Sequence, residues 1–129
     1  MPGPLEGIRI LELTTMITGP LGGQMLADLG ADVIKVENPK GGDMFRSWRG
    51  GLYSAHFAAY NRNKRSIALD LRSEKGKEAL FKLVARADVL MENFRAGVMD
   101  RLGLGLEALR AHNPGLIYCS ITGFGEDGP

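Results

Sequence analysis

Residues 8–37 read IRILELTTMITGPLGGQMLADLGADVIKVE. IRILEL (8–13) is a short β-branched and leucine-rich run with glycine before it, the pattern of a buried strand. TTMITG follows as a loop. Gly19 suits an N-cap and Pro20 the first helical position, where its missing N–H costs nothing. Leu21, Met25, Leu26 and Leu29 then recur at helical spacing, and Gly30 stops the helix in a left-handed cap. DVIKVE (32–37) is a second strand. Strand, loop, helix and strand at this length make a βαβ unit, whose crossover is expected to be right-handed.

The pattern repeats downstream. Residues 38–62 carry glycine, proline and aromatics without sustained periodicity until SAHFAAY, and read as a long functional loop. IALDL (67–71) restores strand alternation. Ser73 is an N-cap candidate for a helix over 74–86, with Leu80, Leu83, Val84 and Ala87 as its apolar stripe. DVLM (88–91) and LIYCSI (116–121) are two further strands, separated by short helices near 98–102 and 106–112. The expected fold class is α/β: an open, mostly parallel, Rossmann-like sheet with helices on both faces. Ligands collect at the carboxyl ends of strands in such sheets. Four stretches lie there: TTMITGP, NPKGGD, LRSEKG and ENFRAG.

The 129 residues have the size of one ordinary domain. A formal net charge of +1 argues against a general nucleic-acid binder, which carries a basic excess. Charge is nevertheless segregated. Residues 40–101 hold 13 Lys or Arg against 7 Asp or Glu, and the rest of the chain holds 3 against 8. Such a field either focuses a polyanionic small molecule or is a solvated surface. Within it, NRNKR (61–65) runs three cations, Arg62, Lys64 and Arg65, straight into a strand. No stretch approaches the ~18 apolar residues of a membrane span. MPGPLEGIRI lacks the basic and apolar regions of a secretory signal, and the single cysteine, Cys119, fits a reducing compartment. A cytoplasmic location is expected.

Familiar chemistry is scarce. The dinucleotide fingerprint spaces its glycines as G-x-G-x-x-G, whereas Gly19, Gly22 and Gly23 are spaced GxxGG. Glu37 ends its strand as a ribose-binding acid would, but without that glycine pattern. His56 and His112 have no partners at metal-ligand spacing, and His112 suits a helix C-terminus. Cys119 sits in an apolar strand as a core residue. Asp70 either faces solvent or orients a neighbouring cation. The residues alone give an α/β domain with a cationic, loop-lined rim and no catalytic machinery.

PLEGIRILELTTMITGP, LADLGADVIKVENPKGGDMFR, NRNKRSIALDL, ADVLMENFRAGVMDRLGLG and NPGLIYCSITGFGEDGP, in this order and spacing, resemble the family III CoA-transferases across essentially the whole chain. The same fold is shared by the α-methylacyl-CoA racemases. The resemblance implies coenzyme A or acyl-CoA as substrate, with no tightly bound cofactor, a carboxylic acid as the acceptor, and interlocked homodimers of longer chains. The anion to be met is then the CoA phosphates. Ile17 and Thr18 match residues whose backbone approaches CoA. Asn38 stands where some members place an arginine against the adenosine phosphate, a departure. Leu69 and Arg72 match the adenine-flanking strand end. Asn93, Phe94 and Arg95 match the loop along pantetheine and pyrophosphate, and Arg101 matches a phosphate-pairing cation. For Lys64 and Arg65 the resemblance leaves a dimer brace equally open.

In that family an aspartate attacks the acyl-CoA thioester. No acid here matches it, and Asp127 lies in a variable turn. The resemblance therefore implies that residues 1–129 are an amino-terminal CoA-binding domain whose nucleophile lies beyond them, inactive alone. A racemase-type isomerase and a freestanding CoA- or nucleotide-binding module are the alternatives.

Overall fold

A computed structural model of the protein describes residues 3–49, 53–125 and 127. Five strands, β1 (Arg9–Glu12), β2 (Asp32–Glu37), β3 (Arg65–Ala68), β4 (Val89–Glu92) and β5 (Ile117–Ser120), form one sheet in the order β3-β2-β1-β4-β5. Every neighbouring pair is parallel. The helices are α1 (Thr18–Asp28), α2 (Ala55–Asn61), α3 (Glu74–Val84), α4 (Val98–Arg101) and α5 (Leu106–His112), with a 3-10 turn at Met44–Ser47.

Side-chain alternation divides the core in two. Leu11, Leu13, Ile34, Val36 and Leu90 meet Leu80 and Val84 of α3, Met99 of α4 and Leu109 of α5. On the opposite face Ile10, Val33 and Met91 meet Ala27 of α1 and Ala31. Helices thus cover both faces, as expected, with α2 packed on α1. Ser73 caps α3, its hydroxyl accepting from the Gly76 N–H at 3.0 Å, and Leu80, Val84 and Ala87 are buried below it.

Three local expectations need correction. Helix α1 starts at Thr18 with Ile17 as N-cap, so the turn begins before Gly19 and Pro20. Strand β3 starts at Arg65, two residues before IALDL, because its ladder with β2 aligns Arg65 with Ile34 and ends near Ala68. The largest difference concerns the stripe on α1. Leu21, Met25 and Leu29 are exposed, Met25 at 58%, and only Leu26 packs against the core. The buried residues of the helix are Gly19, Pro20, Gly23, Gln24 and Ala27. A Cβ on Gly23 would lie 1.9 Å from the Glu12 carboxylate, and one on Gly19 2.3 Å from the Thr14 side chain. The helix rides so close to β1 that no leucine fits beneath it.

Candidate ligand cleft

The segments after β1, β2, β3 and β4 enclose a cleft of about 340 Å³ at the carboxyl ends of the strands. Asn38, Leu69, Arg72 and Phe94 line it, four of the nine residues singled out from the sequence. Phe94 also walls a neighbouring hollow of about 220 Å³, together with Arg95, Glu92, Asp100 and Tyr118. The buried Glu92 carboxylate there accepts from the Phe94 N–H at 2.7 Å and from the Tyr118 hydroxyl at 3.1 Å. Ile17 and Thr18 are exposed at the start of α1 and Arg101 at the end of α4, and these three line neither space. Asn93 lines neither as well; its amide is bonded to the backbone of Thr15.

Lys35 and Asp43 in the cleft lining belong to a buried charged cluster that the sequence reading missed. Glu12 and Lys35 are register partners on adjacent strands, so both side chains leave the same face of the sheet, toward α1. The Lys35 ammonium lies 3.0 Å from Glu12, 3.0 Å from Asp43 and 2.8 Å from the Thr14 carbonyl oxygen. Lys64 reaches the other Glu12 oxygen at 2.7 Å, and donates to the Pro20 carbonyl and the Asn61 side chain at 2.7 and 3.0 Å. All four charged side chains are at least 98% buried. Two cations and two anions leave the cluster neutral, which is what lets it exist in a low-dielectric interior. Burial pushes the Lys64 ammonium below its usual pKa, against the pull of Glu12. A lysine at an inward-facing position of a β-branched strand, DVIKVE, was the available signal.

Glu37 does not wait for a ribose. Its carboxylate takes a two-pronged contact from Arg46 at 2.6 and 2.7 Å, the Ser66 hydroxyl at 2.6 Å and the Asp43 N–H at 3.0 Å. Burial alone would raise its pKa; these donors overcome burial and hold it at about 2.

The NRNKR cations are likewise taken up by acids of the same domain, Lys64 in the interior and Arg62 and Arg65 at the surface. Arg62 pairs with Asp28, Lys64 with Glu12 and Arg65 with Asp32. Their position explains why: Arg65 begins β3, so the cluster precedes the amino end of the strand, while ligands meet carboxyl ends. Arg72, Arg95 and Arg101, by contrast, are exposed and have no ion pair among the described residues. His112 is stacked on Phe81 with ring centroids 4.1 Å apart. Asp70 is exposed and accepts the Arg72 N–H at 3.0 Å, and Cys119 packs against the smaller core cluster.

A cleft with apolar walls, guanidinium groups near its rim and neutralised charges in and beneath its lining can hold a phosphorylated ligand with an apolar arm. Residues 5–129 match the family model described as CoA-transferase family III. This chain belongs to CoA-transferase family III. It is 51% identical over 135 residues to a succinate–glutarate CoA-transferase of Agrobacterium fabrum, covering 98% of this chain and 34% of that protein. It is 48% identical over 131 residues to a succinyl-CoA:mesaconate CoA-transferase of Haloarcula hispanica, covering 96% of this chain and 33% of that one. The crystal structure of a CAIB/BAIF family protein from Brucella suis superposes with a TM-score of 0.93 at 51% identity, over 100% of this family III chain and 36% of the other. The chain thus spans about a third of the length of the relatives it matches.

Proposed function

We propose that residues 1–129 form the amino-terminal CoA-binding part of an enzyme that moves CoA between an acyl-CoA donor and a carboxylic acid acceptor. The observation that carries this reading is the cleft at the strand carboxyl ends. Asn38, Leu69, Arg72 and Phe94 line it, positions that the sequence resemblance aligns with the CoA site, Asn38 as a departure. CoA binds as substrate, its adenosine between Leu69 and Arg72 and its pantetheine arm along Phe94 and Arg95. The exposed guanidinium of Arg101 pairs with a phosphate, and the backbone at Ile17 and Thr18 closes on the ligand. Dicarboxylic acids are the acceptor class suggested by the relatives named above.

The acids in and beneath the cleft lining are committed to cations: Glu12 and Asp43 to lysines, Glu37 to Arg46. They position rather than attack. The nucleophilic aspartate lies outside these residues, and the working enzyme is an interlocked homodimer in the cytoplasm. No helix among the described residues is long and apolar enough to cross a membrane.

Calorimetric titration with CoA tests the binding reading. Arg101→Ala weakens CoA by ~1.5–3 kcal/mol, the range for a charge-assisted hydrogen bond, or roughly ten- to a hundredfold. Arg110→Ala, an exposed arginine on α5, costs under ~1 kcal/mol. Equal small effects of the two substitutions would reduce the rim to a solvated surface.

A further inference from the structure

The side-chain amide of Asn93 makes a reciprocal pair with one residue far away in sequence. Its Oδ1 accepts the Thr15 N–H at 2.9 Å, and its Nδ2 donates to the Thr15 carbonyl at 2.9 Å. The next backbone group is held from a third direction: the Met16 N–H donates to Asp43 Oδ1 at 3.3 Å. Asp43 is fixed in turn by its ion pair with Lys35. Met16 has φ 70°, in the left-handed region that a side chain with a Cβ enters at a cost. Three successive polar groups of the β1–α1 loop are thus satisfied by side chains from the connections after β4 and β2. Phe94, the immediate neighbour of Asn93, lines both hollows.

We propose that Asn93 is a positioning residue: its amide locks the β1–α1 loop to the Phe94–Arg95 loop and so fixes the two sides of the cleft relative to each other. The ligand named here rests on the CoA reading above. Asn93 acts on CoA affinity through Thr15 and Met16, with no contact of its own needed. A left-handed Met16 has an accessible alternative in the ordinary region, and the two clamps deny it that alternative. Without the Asn93 amide, the strained residue relaxes and the β1–α1 loop is released from the Phe94–Arg95 loop.

The test joins amide hydrogen exchange without ligand to CoA titration, on wild type, Asn93→Ala and Asn93→Asp. Asn93→Ala removes both bonds. We expect exchange at Thr15 and Met16 to accelerate by roughly ten- to a hundredfold, while Leu11 and Leu90 in the sheet keep their rates. CoA affinity falls about tenfold or more alongside. Asn93→Asp keeps the acceptor for the Thr15 N–H and loses the donor, so it is intermediate in both readouts. It also serves if the alanine variant does not fold. Unchanged exchange at Thr15 and Met16 in both variants overturns the clamp. Faster exchange there with unaltered CoA affinity overturns the positioning role, as does equal acceleration at Leu11 and Leu90, which is general destabilisation. Absence of CoA binding by the wild type overturns the functional reading and this proposal's ligand with it, and the exchange data still separate that failure from loss of the clamp.

Discussion

The two faces of the sheet are built on different chemistry. Toward α3, α4 and α5 the strands present Leu11, Leu13, Ile34, Val36 and Leu90, and the helices answer with leucine, valine and methionine. Toward α1 the same strands present Ile10 and Val33 near one end, then Glu12, Lys35 and Glu37 near the carboxyl ends. The first face is stabilised by area: each fully buried leucine contributes ~1.5–3 kcal/mol. The second is organised by direction, since Lys35 and Glu37 bind groups on the 38–43 connection, and Lys64 ties Glu12 to α1 and α2. A buried ion cluster is poor evidence of stability, because desolvation offsets much of the attraction. It does specify where its partners sit. The ionic face lies under the cleft, so the part of the fold needing fixed loops is the part built from directional bonds.

The largest expected effect breaks the ionic face at its centre. Lys35→Met leaves Glu12 short of one cation and Asp43 without its direct ion-pair partner, and costs ~3–5 kcal/mol in urea unfolding. On the other face Leu80→Ala, at a fully buried position of α3, costs ~2–5 kcal/mol through lost transfer energy and a cavity. Similar totals hide different origins, and a second substitution separates them. Adding Asp43→Asn to Lys35→Met restores ~1 kcal/mol or more, because the orphaned charge is gone and an acceptor for the Phe45 N–H remains. Adding it to Leu80→Ala restores nothing. Simple additivity in both pairs would mean that the ionic cluster behaves like ordinary packing.

Acid should unpick the same face first. The Glu37 pKa is lowered from 4.5 to about 2, below its value in the unfolded chain. Its contribution is therefore fully present above about pH 4.5 and is lost as pH falls through the folded value near 2. A shift of this size corresponds to at most ~3 kcal/mol; partial exposure of Arg46 brings the expectation to about 1–3 kcal/mol. Asp28 and Asp32, with lowered pKa values in exposed arginine pairs, act in the same direction more weakly. Chemical denaturation at successive pH values should show stability falling across this window in wild type. Glu37→Gln should start less stable and show a shallower fall. An identical acid slope in the two proteins would remove Glu37 from the account.

What was legible in the sequence follows the same division. The aliphatic face obeys area and period: the Leu80–Val84–Ala87 stripe, the Ser73 cap and α5 at 106–112 are where the pattern puts them. The cleft was legible through topology, since any parallel sheet of this order gathers its ligand loops at the carboxyl ends, and Asn38, Leu69, Arg72 and Phe94 do line it. The ionic face was not legible. Charged residues inside strands read as solvent-facing in a composition argument, and nothing in NRNKR shows that its acids are Asp28, Glu12 and Asp32, more than thirty residues upstream. Those pairings exist only once β1, β2 and β3 are in register and α1 and α2 are packed together. The error on α1 has the same root: hydrophobic periodicity points a helix toward an apolar floor, and here the floor carries Glu12.

The smallest expected effect sharpens that last point. If Gly19, Gly23 and Ala27 are the packing face of α1, the Leu21–Met25–Leu29 ridge contributes little to holding the helix on the sheet. Met25→Lys should then change unfolding free energy by no more than ~0.5 kcal/mol, the usual range for surface substitutions. Lysine has a slightly different but comparable helix propensity to methionine, so intrinsic preference does not confuse the measurement. Ala27→Lys on the neighbouring face is the contrast, since Ala27 is buried against Ile10 and Val33 in the smaller core cluster. That variant has no route to water without lifting α1, and it should lower stability far more. A loss at Met25 approaching the loss at Ala27 would return the apolar ridge to the interior and invert the assignment of faces on α1.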